Sequence, residues 1–385
     1  MIRNKKAKVI TMVFVIIFLL TGCWDYVEIE DLIIVAGLAI DTGSGNNYLV
    51  TIETVDLEQS QGGDVQPDSR VVQVEGSTVF DAVRNAIKIS TDRYYWSHAD
   101  VLILSEEIAR GGIVKVLEPI IRSQEPRLTM KVLVSKENKA SDILPYDTPS
   151  NKILSFEIVE MLNAQQHLSK APNYEVYEVI DKVMASGIST VIPTIGLSTI
   201  EGEKTPEVSG LAMFKKDSLV GFLDGEEAKT YLFITNEIKG GVLVESYPSE
   251  ASASDISLSI KENKTKIQHR YENEKVVMEI KTNIKAVIHE WDISDSISEE
   301  SINDVKKLFE ASLRKDIEIL IKKVQRDYQC DIFGFGQILK NQNPQLWRKL
   351  EENWENIFAN LEIEVDTMVD IINTNLLSNT IKVGD

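Results

Sequence analysis

Cys23 is the residue in this chain best placed to do chemistry. It follows Leu20, Thr21 and Gly22, at the end of an uncharged apolar run that begins at Val9. Four basic residues, Arg3, Lys5, Lys6 and Lys8, precede that run. A basic head, a short apolar core and small residues at a cut site make an export signal. A cysteine at that position offers thioether formation, because a thiolate is nucleophilic enough for it near neutral pH. The apolar run, about 12 residues or roughly 18 Å as a helix, falls short of a hydrocarbon core of about 30 Å.

The ending Leu20-Thr21-Gly22-Cys23 resembles the bacterial lipobox. That resemblance implies that Cys23 takes a diacylglycerol and that a peptidase cuts just before it, so residues 1–22 read as a lipoprotein signal peptide. The competing reading is a plain N-terminal anchor with an incidental cysteine. With Cys23 acylated, Cys330 stands alone and reads as a small buried hydrophobe.

No other residue pattern converges on a reaction. His98, His167, His269 and His289 are not spaced as a helical metal pair, and no cysteine joins them. There is no Gly-x-Ser-x-Gly elbow and no phosphate loop. Ser97-His98-Ala99-Asp100 is expected at the start of a strand, where His98 and Asp100 share a face. Three sequence neighbours cannot converge as a triad, so His98 reads as a hydrogen-bonded structural residue. Gly334-Phe335-Gly336 reads as close backbone packing. Trp347 and Trp354, seven apart, read as one core face of a helix. Glu362, Glu364 and Asp366 alternate with apolar residues and read as a solvated sheet face. The expectation is therefore no catalytic residue, no cofactor-binding residue and no metal ligand, with Cys23 as the lipidation site.

The bulk numbers agree with an exported, tethered body. Apolar content of 43% and charged content of 26% are ordinary for globular protein. The net charge is −19. Cleavage before Cys23 removes four positive charges and no acid, which takes −19 to −23. Such a body does not suit nucleic acid and is repelled by an anionic membrane, so attachment falls to the lipid.

The elements that must carry these residues alternate. Leu32 to Ile40 and Tyr48 to Val55 read as strands around an Asp-Thr-Gly-Ser-Gly-Asn-Asn turn, and Gln59 to Ser69 as a loop. Ser77 is expected to cap a helix through Ile87. Val101 to Leu104 and Leu128 to Val134 are strands separated by helical segments, which allows some parallel pairing. Residues 151–169 and 174–185 read as amphipathic helices, 196–207 as a linker and 247–254 as a second one. Beyond these, 256–260 and 265–271 read as a hairpin, and Val276 to Ile288 is the clearest strand. A long helix capped by Ser298 runs to Asp327. A helix opened by Asn343-Pro344 carries both tryptophans, and a last strand spans Leu361 to Ile371. The expected fold class is α+β: three mixed α/β domains, mostly antiparallel sheets with packed helices. The expected domains are 23–200, a small middle unit 207–246, and 255–385.

One family shares this series of motifs. Cys23-Trp24-Asp25, Glu28-Ile29-Glu30-Asp31-Leu32 and Val35-Ala36-Gly37-Leu38-Ala39-Ile40-Asp41 resemble the start of the Ger(x)C proteins, the C components of spore germinant receptors in endospore-forming bacteria. Ser97 to Asp100, Ile108 to Gly112, Arg122 to Arg127, Gly210 to Phe214 and Tyr328 to Gly336 resemble later segments. The resemblance implies three α+β domains and a lipid anchor. It implies residence at the spore inner membrane, facing outward, and assembly with an A-type and a B-type integral membrane subunit in a receptor that responds to nutrients. It also implies a non-catalytic role. Two rival readings are a lipid-anchored solute-binding protein of a transporter and an exported cortex-lytic hydrolase. The β-rich middle and C-terminal stretches argue against the two similar lobes of the first.

Overall fold

The structure is a computed structural model that describes residues 11–12, 28, 32–59, 65–90, 92–145, 153–247, 254–291 and 299–373. Cys23 and Ser298 lie outside the described residues, as does most of the 247–254 linker. In chain order the elements begin β1 (Leu32–Thr42), β2 (Tyr48–Gln59), β3 (Val65–Gly76), α1 (Val79–Asn85), β4 (Arg93–Tyr95), β5 (Val101–Leu104), α2 (Glu106–Arg110), α3 (Val114–Arg122) and β6 (Lys131–Ser135). Next come α4 (Leu154–Leu168), α5 (Val176–Met184), β7 (Val191–Ile200), β8 (Glu203–Lys215), β9 (Ser218–Leu223), α6 (Gly225–Ile234) and β10 (Val242–Tyr247). The chain continues through β11 (Ser254–Glu272), β12 (Lys275–Trp291), α7 (Glu299–Lys323), α8 (Phe335–Gln342), α9 (Pro344–Leu350), α10 (Trp354–Ala359) and β13 (Glu362–Asn373).

Two sheets carry the fold, and its class is α+β. The larger has nine strands in the order β3-β2-β1-β5-β6-β7-β8-β9, with β4 beside the first residues of β1. Its centre, β1-β5-β6-β7, is parallel and its flanks are antiparallel. The smaller has the order β10-β11-β12-β13. Val101-Leu102-Ile103-Leu104 is an unbroken apolar strand because both faces of β5 are covered. Leu102 and Leu104 join the core beneath α1, α3 and α5, while Val101 and Ile103 join a second core with Leu154, Ile158 and Leu162 of α4. On the small sheet the even-numbered residues of β12 point inward, as the alternation requires. Val305, Phe309, Leu313 and Ile317 of α7 are buried in the same core as that sheet.

Several expectations are corrected. Residues 196–207 are not a linker. They form the antiparallel arms of β7 and β8, paired from Ile195 with Val208 to Ile200 with Glu203. Residues 65–69 are not loop, because β3 pairs with β2 residue by residue from Val65. Polar composition misleads in both places, since a ladder is made by main-chain groups and an exposed strand needs no apolar period. The hairpin expected at 256–271 is one strand, β11, with a bulge between Ile260 and Glu262 that keeps its inward face in register. Thr78, rather than Ser77, caps α1, its hydroxyl accepting from Asp81 N at 3.1 Å. The 207–246 stretch gives β8 and β9 to the large sheet and β10 to the small one.

Candidate functional site

The sequence Tyr328-Gln329-Cys330-Asp331-Ile332-Phe333-Gly334-Phe335-Gly336 builds the joint between the two sheets. The chain leaves α7 through a wide turn at Val324–Tyr328, and Gln329 adopts a left-handed conformation. Asp331 is then buried. Its Oδ1 accepts from Phe335 N at 3.1 Å, and its Oδ2 from Gly336 N at 2.8 Å and from Trp354 Nε1 at 3.0 Å. Gly334, at φ +73°, turns the chain back so that these first donors of α8 reach the carboxylate. One side chain thus caps one helix and fixes another. Burial pushes its carboxyl up to about 6, against the pull of those donors.

The joint reaches the large sheet through main-chain groups. Ser189 N donates to Asp331 O at 2.7 Å, and Gln337 N to Gly187 O at 2.8 Å. Gly187 stands at φ +79°, and a Cβ there would meet Gly336 C at 2.6 Å and Trp347 at 2.9 Å. Two glycines therefore let the segments touch backbone to backbone. Phe335 stacks on Phe333 at 5.3 Å, and Trp347 meets Trp354 edge-on at 5.4 Å. The two tryptophans sit on α9 and α10, separated by a tight turn, rather than on the single helix expected. Beside them runs a groove of about 510 Å³, lined among others by Lys215, Asp217, Glu351 and Glu352. Lys215 bridges it to Glu355 at 3.0 Å.

Further buried polar groups were not nominated by the sequence. Glu53 accepts from Leu154 N at 3.0 Å, Ser155 N at 2.8 Å and Ser69 Oγ at 2.8 Å, and also from Ser155 Oγ. It holds the start of α4 across the sheet. Asp41 accepts from Ala140 N at 2.7 Å and Ser141 N at 3.0 Å. Tyr174 donates to Glu237 at 2.6 Å, with the Lys182 ammonium 3.7 Å from the Tyr174 ring centroid. Burial lowers the Lys182 pKa, and Glu237 and Glu178 oppose that shift. Glu53 and Asp41 sit within strands rich in hydrophobes, where an acid was the available signal. The Tyr174 cluster joins residues up to 63 positions apart and leaves no such trace.

Several of the described residues singled out from sequence make structural contacts. Ser97 Oγ donates to Glu125 O at 2.8 Å, so its proton is not offered to His98. Residues 96–98 form a tight helical turn, not strand, and the His98 ring packs against Tyr95 at 5.3 Å. His269 Nδ1 pairs with Gln342 Oε1 at 2.8 Å. Glu364 and Asp366 lie on an exposed face, met by Arg270 at 2.8 Å and Arg314 at 3.7 Å. Cys330 is buried, and its thiol is pushed up to about 12, first by burial and then by Asp331. Among the described residues no group of three or more His, Cys, Asp or Glu is arranged to hold a metal, and no helix is long and apolar enough to cross a membrane.

Comparison with known proteins extends over nearly the whole chain. Residues 25–197 match the spore germination protein N-terminal domain, and residues 209–375 match the spore germination B3/GerAC-like C-terminal domain. The chain is similar to spore germination protein B3 of Bacillus subtilis (strain 168), 26% identical over 96% of this chain and 98% of that protein. It is 25% identical to spore germination protein KC of the same organism, over 99% of this chain and 98% of that one. The crystal structure of the GerBC protein superposes with a TM-score of 0.59 at 22% identity, covering 88% of this chain and 97% of that chain, which shows a shared fold. With both halves matched in order and relatives aligned almost end to end, the chain belongs to the Ger(x)C family of spore germination proteins.

Proposed function

We propose that this chain is the lipid-anchored, non-catalytic C-type subunit of a spore nutrient germinant receptor, working at the spore inner membrane with two integral membrane subunits. The observation that carries the reading is the near end-to-end match to spore germination proteins, with both germination domains in order. The buried Glu53 and Asp331 support it, because both are spent on holding helices and segments together. In this reading residues 1–22 are removed and Cys23 is acylated. The segments 23–200, 207–246 and 255–385 then present faces for assembly.

Affinity purification from detergent-solubilised spore membranes tests the assembly. Recovery of two polytopic subunits is the expected result, and recovery of an ATPase-linked permease instead would point to a transporter. The anchor is tested separately by Cys23→Ala, which is expected to abolish palmitate labelling and leave the chain unprocessed. A variant that still takes up label would overturn the assignment of Cys23.

A further inference from the structure

The end of the large sheet where β1 begins carries an apolar rim that the interior does not use. β1, β4, β5 and β6 are mutually parallel, so their first residues and the connections leading into them lie at one end. Leu32 pairs there with Arg93. Ile87 and Ile89, in the turn between α1 and β4, are 56% and 57% exposed. Tyr95 of β4, Leu128 ahead of β6 and Tyr177 at the start of α5 are each more than a third exposed. Tyr177 N donates to Leu128 O at 3.1 Å, which ties these two together at the same end. Lys88 and Arg93 are interleaved with the apolar residues; Arg93 is paired with Glu125 at 3.4 Å, and Glu175, Glu178 and Asp181 lie around Tyr177. The turn at the other end of β1 is Gly43-Ser44-Gly45-Asn46-Asn47, wholly polar.

We infer that this rim is a membrane-contact face, seated in the headgroup region of the bilayer that holds the anchor. The inference rests on the proposed acylation of Cys23. Nine peptide steps separate Cys23 from Leu32, and at full extension they span about 30 Å. The strand end carrying Leu32 therefore stays within that distance of the lipid surface, while the Gly43–Asn47 turn is a further full strand away. Exposed isoleucines and tyrosines suit an interface, since apolar side chains enter the acyl boundary and amphipathic rings sit at headgroup level, with Lys88 among them to reach a phosphate. The mature body, at net charge −23 after cleavage, is repelled by anionic headgroups, so seating falls to the anchor and to these apolar side chains. Exposed apolar residues gathered at one end mark a contact site.

Bimane-labelled Ile89→Cys and Asn46→Cys test this in the full acylated lipoprotein, reconstituted in phosphatidylethanolamine–phosphatidylglycerol vesicles. Both positions are exposed, and Cys330 is buried away from the label. Doxyl-labelled lipid is expected to quench the probe at 89 by roughly twofold or more and to blue-shift its emission, leaving the probe at 46 unchanged. Lipoprotein that floats with vesicles while the probe at 89 stays unquenched overturns the membrane face and leaves the anchor standing. That result would be expected if the rim seats on a membrane-embedded protein instead. Lipoprotein that does not float overturns the anchor, and this inference with it.

Discussion

Asp331→Asn separates the two opposed effects at the joint. In the wild type the folded carboxyl sits at about 6, against an ordinary value of 3.8. A folded pKa raised in this way means that the folded state holds its proton more tightly than the unfolded state. Stability from this group is therefore highest below about pH 4. It falls as pH rises towards 6 and stays low above it, by about 3 kcal/mol for two pKa units. Asparagine carries no charge, so that pH dependence disappears. Its single carbonyl oxygen can take the place of Oδ2, which accepts from Gly336 N and Trp354 Nε1. Its amide N–H₂ then opposes Phe335 N, leaving one buried donor unsatisfied at about 1–3 kcal/mol. At pH 4 the variant is expected to be less stable than wild type by about that amount, 1–3 kcal/mol. At pH 7.5 the relief of about 3 kcal/mol makes it equal or more stable. Denaturant unfolding of residues 24–385 at a series of pH values gives the difference between the two chains, in which the other carboxylates cancel. The Trp354 indole N–H resonance reads the same titration directly, moving with a midpoint near 6 in wild type. A difference in stability that is the same at pH 4 and pH 7.5, with a flat Trp354 resonance, refutes the reasoning.

The remaining predictions follow from single contacts. Gly187→Ala places a Cβ 2.6 Å from the Gly336 backbone at a left-handed position. It is expected to loosen the joint by more than the 1–2 kcal/mol of the conformation alone, seen as faster proteolysis between α5 and β7. Glu53→Ala strips the start of α4 of its acceptor for Leu154 N and Ser155 N. The expected loss is about 2–4 kcal/mol in equilibrium unfolding. Cys330, buried with its thiol near 12, is expected to ignore aromatic disulfide reagents until the chain unfolds. Stoichiometric reaction in the native state would contradict its burial.

Main-chain pairing decided where the sequence misled. The polar stretches at 65–69 and 196–207 have loop composition, yet both are strand, because their neighbours supply the hydrogen bonds. Elements with a strong period were legible. Val276 to Ile288 alternates as the buried face of β12 demands, and the stripe of α7 is buried from Val305 to Leu320. The tryptophan pair was read as core and is core, though its helix breaks at Glu351–Asn353.

By itself the sequence determined what depends on local order: the basic-apolar-cysteine start, the helix and strand periods, the acidic charge and the motif series of the family. The tertiary structure alone decided what depends on distant residues meeting. Gly187 faces Gly336, Asp331 caps one helix while holding Trp354, and Glu53 reaches across to the start of α4. A buried carboxylate is tolerated only where donors converge on it, and those donors lie on segments that only folding brings together. The rim at the start of β1 is of the same kind. Ile89, Tyr95, Leu128 and Tyr177 are scattered in sequence, and the parallel order of the strands gathers them at one end. The motif that ends at Cys23 was legible from its neighbours alone. That the first residues of β1, β4 and β5 share one end was set by strand pairing, Leu32 with Arg93 among them.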